Sequence, residues 1–159
     1  METFHLLLGG FLLAVALPPG AKARECPRGW IQLKRCCYGF FNLRLTWMRA
    51  ELECQSIKSN SHLASVVSEE ETELLSTYLD KNYAEQTAVW IGMFESKKRT
   101  PKKRTFEWSD GSPIDYTLWA PKEPRNLKKQ CTILAKPDYK LWATRDCGDL
   151  RPYLCKYER

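Results

Sequence analysis

Histidine is almost missing from this sequence, with 2 in 159 residues, and only His62 lies beyond the N-terminal apolar run. Nucleophilic triads rely on an imidazole to move the proton. His62 is held in a strand-like stretch, His62-Leu63-Ala64-Ser65, so a histidine-based triad has little to be built from. Cys-x-x-Cys pairs are absent, which removes the usual zinc spacing. No Gly-x-Ser-x-Gly, His-Glu-x-x-His, phosphate loop or dinucleotide fingerprint occurs. The carboxylates Glu69, Glu70 and Glu71 are neighbours, but a helix start explains them. The chain therefore reads as a non-enzyme. A glycosidase is the enzyme alternative, and release of reducing ends from a polysaccharide panel would separate the two.

Long apolar runs are also scarce. Leu6 to Leu17 is mostly apolar and ends at Pro18, Pro19 and Gly20, with the small residues of Ala21-Lys22-Ala23 after it. That core is shorter than the roughly 20 residues a membrane-spanning helix needs. Its layout is that of a secretory signal peptide, although no Lys or Arg precedes the apolar run. Residues 1–23 are expected to be removed and residues 24–159 to form one secreted, extracellular domain with no membrane span. Repeats, low-complexity tracts and linkers are missing. Acids are outnumbered, 19 against 25 Lys and Arg, for a net charge of +6. Removal of residues 1–23 takes away Glu2 and Lys22 and leaves that charge unchanged. The surplus favours anionic surfaces. Nucleic acid is not an expected partner.

Cysteine is what the chain does have. All 7 follow the predicted cleavage site, at positions 26, 36, 37, 54, 131, 147 and 155. In an exported chain they read as a disulfide framework with one thiol over. Thr46 to Ile57 reads as a first helix, with Thr46 as cap and Trp47, Ala50, Cys54 and Ile57 on its buried face. On that reading Glu51, Glu53 and Gln55 stay wet. His62 to Val67 reads as a strand. Ser68 and Glu71 form a capping box for a second helix, whose apolar face is Leu74, Leu75, Tyr78 and Leu79 and whose end falls near Asp80 to Asn82. Strands are predicted at Trp30-Leu33, Cys37-Phe41, Ala88-Met93, Phe106-Trp108 and Tyr153-Tyr157, and Ile133-Leu134 and Leu141-Trp142 flank another turn-rich segment.

Several segments recur in a known order: Cys26-Pro27-x-Gly29-Trp30, Cys37-Tyr38, Trp47 with Ala50-Glu51 and Cys54, His62-Leu63-Ala64-Ser65, Trp90-Ile91-Gly92, Trp108-Ser109-Asp110-Gly111, Trp119, then Cys131, Trp142, Cys147 and Cys155. Together they resemble the C-type lectin-like domain over essentially residues 24–159. The form is most similar to the secreted regenerating (islet-derived) proteins, type IV in particular, with venom single-domain lectins also similar. The resemblance implies an α+β fold: one domain of two helices, short antiparallel sheets and long loops, stapled by disulfides. It implies the pairings Cys26–Cys37, Cys54–Cys155 and Cys131–Cys147. Cys36 is left over, either as a surface thiol capped by a small molecule or as half of an intermolecular bridge that makes a dimer.

Sugar-binding relatives hold calcium with Glu-Pro-Asn, a later acid and Trp-Asn-Asp. Calcium needs six to eight hard oxygens. Here the first segment reads Glu123-Pro124-Arg125-Asn126, Lys128, Lys129 and Gln130 precede Cys131, and Trp142-Ala143-Thr144 stands at the last segment. The expectation is no cofactor and no calcium at that position. The resemblance still implies a lectin that binds mannose-type glycans without calcium, and the density of basic residues adds anionic (sulfated, heparin-like) glycans as expected ligands. Tyr116, Glu123, Asn126 and Lys128 are the candidate sugar contacts. Tyr116, Trp119 and Tyr139 have the flat rings that stack on sugars or else pack in the core. Lys97, Lys98, Arg99, Lys102, Lys103 and Arg104 form a basic loop, read either as a solvated face or as an anionic-ligand site. A secreted signalling or matrix ligand of a cell-surface receptor, with no sugar binding, is the alternative.

Overall fold

The computed structural model describes residues 25–83, 87–96, 104–125 and 130–159. The predicted leader, the basic residues Lys97, Lys98, Arg99, Lys102 and Lys103, and the candidates Asn126 and Lys128 lie outside these. Among the described residues no helix is long and apolar enough to cross a membrane.

The chain begins with a hairpin of β1 (Ile31–Leu33) and β2 (Cys36–Leu45), followed by helix α1 (Trp47–Ile57), the short strand β3 (His62–Leu63) and helix α2 (Glu69–Tyr83). Strands β4 (Val89–Glu95), β5 (Phe106–Trp108), β6 (Gln130–Leu134), β7 (Trp142–Asp146) and β8 (Arg151–Glu158) complete it. The main sheet runs β1-β2-β8-β4-β6-β7, with β3 on β8 and β5 on β4. Every pairing is antiparallel except β4 with β8, parallel at Trp90 and Tyr153. Expectation had been antiparallel strands only. β8 closes antiparallel onto β2, and in that orientation its other edge meets β4 running the same way.

Helix α1 buries Trp47, Ala50, Glu51 and Cys54. Two expectations fail here for one reason. Ile57, ten residues past Trp47, lies about 80° round the helix from it and is 40% exposed. Glu51, four residues past Trp47, lies only about 40° away and falls on the inner face. Its carboxylate is satisfied there by the Leu63 amide at 2.8 Å, His62 Nδ1 at 2.6 Å and Gln55 Nε2 at 2.7 Å. Thr46 sits at the N-cap with an extended backbone, yet its side chain makes no capping bond.

The α2 cap is half as expected. Ser68 Oγ accepts the Glu71 amide at 3.2 Å, but the Glu71 carboxylate turns inward instead of back to the Ser68 amide. It accepts the Val67 amide at 2.6 Å, the Tyr38 hydroxyl at 2.5 Å and Lys156 Nζ at 2.8 Å. Burial, then Glu71 itself, pushes the Tyr38 phenol far above its ordinary pKa and keeps it a donor. The expected strand from His62 to Val67 stops at Leu63. Beyond it, the Ala64 amide donates to Leu154 O of β8 and Ala64 O accepts from Gly92 of β4, so the segment bridges two strands and lengthens neither. Gly92 is required at that contact, because a Cβ would stand 2.4 Å from Leu63 O.

Two apolar clusters result. One packs α2, through Leu75 and Leu79, onto Tyr38, Ile91, Met93, Trp108 and Trp142. The other packs α1 onto Leu63, Trp90, Ile133 and Tyr153. Disulfides join Cys26 to Cys37, Cys54 to Cys155 and Cys131 to Cys147, with Cα separations of 5.6, 5.4 and 5.1 Å. Cys36 is unpaired and half-buried.

Candidate functional site

The site is a corner between the segment 118–125 and β7. Trp142 donates its amide to Leu118 O and its carbonyl accepts from Ala120, both at 2.8 Å, so the incoming segment is laced to the strand. Cys131–Cys147 ties the open end of the β6–β7 hairpin. Beneath lies an aromatic stack: the Trp142 ring meets Trp108, Tyr116 and Trp119 edge-on at 5.4, 5.9 and 5.7 Å. This packing decides the fate of the candidate rings. Tyr139 is fully buried, with its hydroxyl on Tyr83 O at 3.2 Å, and cannot meet a sugar. Trp119 is half-buried between Phe106 and Trp142. Tyr116 is half-buried as well, and its hydroxyl lies 3.0 Å from Thr72 Oγ1.

Glu123 is the centre of the corner. Its side chain is 4% exposed. Oε2 accepts three hydrogen bonds, from Thr144 Oγ1 at 2.7 Å, the Thr144 amide at 3.0 Å and the Arg125 amide at 3.1 Å. Oε1 lies 3.0 Å from Arg125 Nε and 3.5 Å from Arg145 Nη1. Arg145 Nη1 also donates to Thr144 O at 2.7 Å, which fixes the guanidinium against the strand. Arg104, the one described member of the basic loop, donates Nη1 to Arg125 O at 2.9 Å. Asp146 and Asp149 do not reach this corner, since Asp146 Oδ1 accepts the Gly148 amide and Asp149 pairs with Arg151 at 2.8 Å.

The electrostatics follow from these contacts. Burial would push the Glu123 carboxyl up, but Thr144's hydroxyl and amide, the Arg125 amide and the Arg125 charge outweigh it and hold the pKa below its ordinary 4.5. Its bonds therefore stabilise the fold in full above pH 4.5 and fade as pH falls below it through the lowered folded value. The stability gap between the parent and a Glu123→Gln chain, measured by denaturant unfolding, should be level at neutral pH and shrink below pH 4.5. A gap that stays level in acid would contradict the assignment.

The described residues of this corner do not make a calcium site. Calcium wants six to eight oxygens at about 2.3–2.6 Å. Among the described residues the corner offers the side-chain oxygens of one carboxylate and one hydroxyl, and two guanidiniums already lie against the carboxylate. Among the described residues no group of three or more His, Cys, Asp or Glu is placed to hold a metal. Sequence reasoning named Glu123 as a candidate sugar contact and did not name Arg145, which the structure sets beside it. The available signal was a basic residue directly after Thr144 in a strand that returns toward Cys131, its register partner.

The Lectin C-type domain family model matches residues 43–157. The chain is 35% identical over 161 residues to the C-type lectin lectoxin-Enh5 of Pseudoferania polylepis, covering 99% of each. It is 34% identical over 134 residues to regenerating islet-derived protein 4 of Mus musculus, covering 84% of this chain and 82% of the other. Among solved structures, human lithostathine superposes with a TM-score of 0.78 at 28% identity, covering 92% of this chain and 99% of that one.

Proposed function

Since the chain belongs to the C-type lectin domain family, we propose that it is a secreted carbohydrate-binding protein that works without calcium and prefers anionic glycans. The observation that carries this reading is the saturated Glu123 carboxylate, with Arg125 and Arg145 set against it at 3.0 and 3.5 Å. In this reading the two guanidiniums supply the positive charge that calcium would have brought. Each is anchored by one or two of its N–H groups and keeps others for a ligand. A guanidinium fork matches a sulfate or carboxylate with two parallel hydrogen bonds. Arg125 is more than half exposed, at 59% for its side chain, and is the arm that reaches solvent. Neutral mannose polymers lack the matching charge and are expected to bind less tightly. The lectoxin relative is named a C-type lectin, in keeping with a binding module and not an enzyme.

A glycan array read with calcium and with chelator tests the proposal. Sulfated and uronic-acid glycans should be retained equally in both, and affinity should fall steeply with salt as counterions are released. Arg125→Ala and Arg145→Ala should each weaken retention about tenfold or more, the size of a lost charge-assisted bond. Replacing Lys97, Lys98, Lys102 and Lys103 together by alanine should flatten the salt slope without moving Tm if the basic loop extends the same surface. Binding that requires calcium, or that ignores both arginines, would overturn the reading.

A further inference from the structure

We propose that Thr144, itself buried from any ligand, is the positioning residue of the Glu123 corner and sets Arg125 where an anionic glycan meets it. The role rests on the anionic-glycan reading of the same corner and adds to it the part of the fold that fixes the outer arginine.

The two arginines are held in different ways. Arg145 belongs to β7 and donates Nη1 to Thr144 O, a backbone carbonyl, at 2.7 Å. Its placement needs the strand and not the Thr144 side chain. Arg125 stands on the segment that crosses β7. That segment is laced to the strand backbone where Trp142 bonds Leu118 O and the Ala120 amide. Beyond Ala120 the chain turns, with the Glu123 amide on Ala120 O at 3.0 Å. The hydrogen bonds that then return it to β7 go to Thr144, and Arg145 adds its ion pair with Glu123 at 3.5 Å.

Thr144 is suited to this task. It is 0% exposed, and its partner across the β6–β7 ladder is Thr132, buried as fully, so it moves with the sheet. A hydroxyl has one proton to give and lone pairs to receive. Thr144 gives its proton to Glu123 Oε2 at 2.7 Å, which leaves Oγ1 as acceptor for the Arg125 amide at 2.9 Å. Glu123 Oε2 shares that amide at 3.1 Å. The direction of the bonds is fixed, because an ionised carboxylate only accepts. Burial raises the Glu123 pKa, and the Thr144 hydroxyl and then the Thr144 amide lead the contacts that bring it down. On its other side Arg125 O accepts Arg104 Nη1 at 2.9 Å, and the Arg125 side chain returns Nε to Glu123 Oε1 at 3.0 Å. One hydroxyl therefore holds both the amide at the root of Arg125 and the carboxylate that orients its head. Without it, a long side chain that is 59% exposed has to be ordered by the ligand, and affinity is lost to that ordering.

The test measures retention of a heparin-derived tetrasaccharide by the full chain at fixed salt. Thr144→Val keeps the shape and the β-branch and removes the hydroxyl. It should weaken binding about fivefold, the ordering cost of one long side chain. Thr144→Ser, which keeps the hydroxyl, should stay within about twofold of the parent. The two arginines should then respond unequally. Arg125→Ala, expected to cost about tenfold in the parent, should cost only about twofold in the Thr144→Val chain. Arg145→Ala should cost about the same in both chains, since its anchor is a carbonyl. A general loosening of the corner would reduce both arginine effects alike. Thr144→Ala serves the same comparison if the valine chain does not fold.

Parent-like binding by Thr144→Val, equal losses from valine and serine, or an Arg125→Ala effect undiminished in the valine chain would overturn this role and leave the glycan reading standing. A parent chain that does not retain the tetrasaccharide, or retains it without either arginine, would overturn the glycan reading and this role with it.

Discussion

A chain in which Cys54 and Cys155 are both alanine should lose about 4–5 kcal/mol of stability, the largest effect of any single bridge. Its two half-cystines are 101 residues apart, against 11 for Cys26–Cys37 and 16 for Cys131–Cys147. In the chain-entropy picture the shorter loops are worth about 3 kcal/mol each, because the unfolded ensemble they restrict is smaller. The sulfurs also fill the middle of the cluster under α1, where both cysteines are fully buried beside Trp47, Leu63 and Trp90. Removing them subtracts packing as well as the cross-link. Denaturant unfolding of the three double-alanine chains should rank Cys54–Cys155 first by more than about 1 kcal/mol. Equal losses from all three would mean that loop length does not set the effect here.

The second large effect is expected at Glu71. Glu71→Ala strands the buried ammonium of Lys156, which has a side chain 10% exposed, and leaves the Tyr38 hydroxyl and the Val67 amide without their acceptor. Breaking a buried pair from one side costs about 3–5 kcal/mol. For a domain of this size that is a drop in Tm of roughly 10 °C or more. The paired change Glu71→Leu with Lys156→Met removes both charges and should recover most of the loss, because desolvation is relieved along with the attraction. If the double change is worse than Glu71→Ala alone, the network is held by hydrogen bonding and not by charge balance. Thermal melts of the three chains decide between these.

How much of this was legible beforehand depended on which force set each feature. The cysteine framework, the tryptophans and the second helix could be read, since each rests on local pattern or on a resemblance in order and spacing. Glu51 and Glu71 could not be placed inside. Periodicity assigns a carboxylate outward unless its partner is known, and their partners, Leu63 with His62 and Lys156 with Tyr38, lie far off or on another element. The strand at His62 was overextended because Ala64 and Val66 have the pattern of a strand, while tertiary bonding to two different neighbours ends it. At the candidate site the departure from a calcium-binding pattern was visible residue by residue. The replacement was not, because it needs Arg145 to fold across the hairpin onto a carboxylate 22 positions earlier in the sequence.

The position of β8 has a consequence for how the molecule is made. This strand lies in the interior of the sheet, between β2 and β4, although it emerges from the ribosome after every other described strand. Until Arg151 to Glu158 have emerged, the hairpin that precedes α1 has no partner for its Phe40 and Phe41 edge, and β4 lacks one flank. Assembly cannot proceed piecemeal from the N-terminus, as it does in chains whose early segments form self-sufficient units. The nascent polypeptide has to wait with apolar strands uncovered. Its closing step joins residues separated by most of the described length, an event slow enough to leave time for a chaperone to hold it.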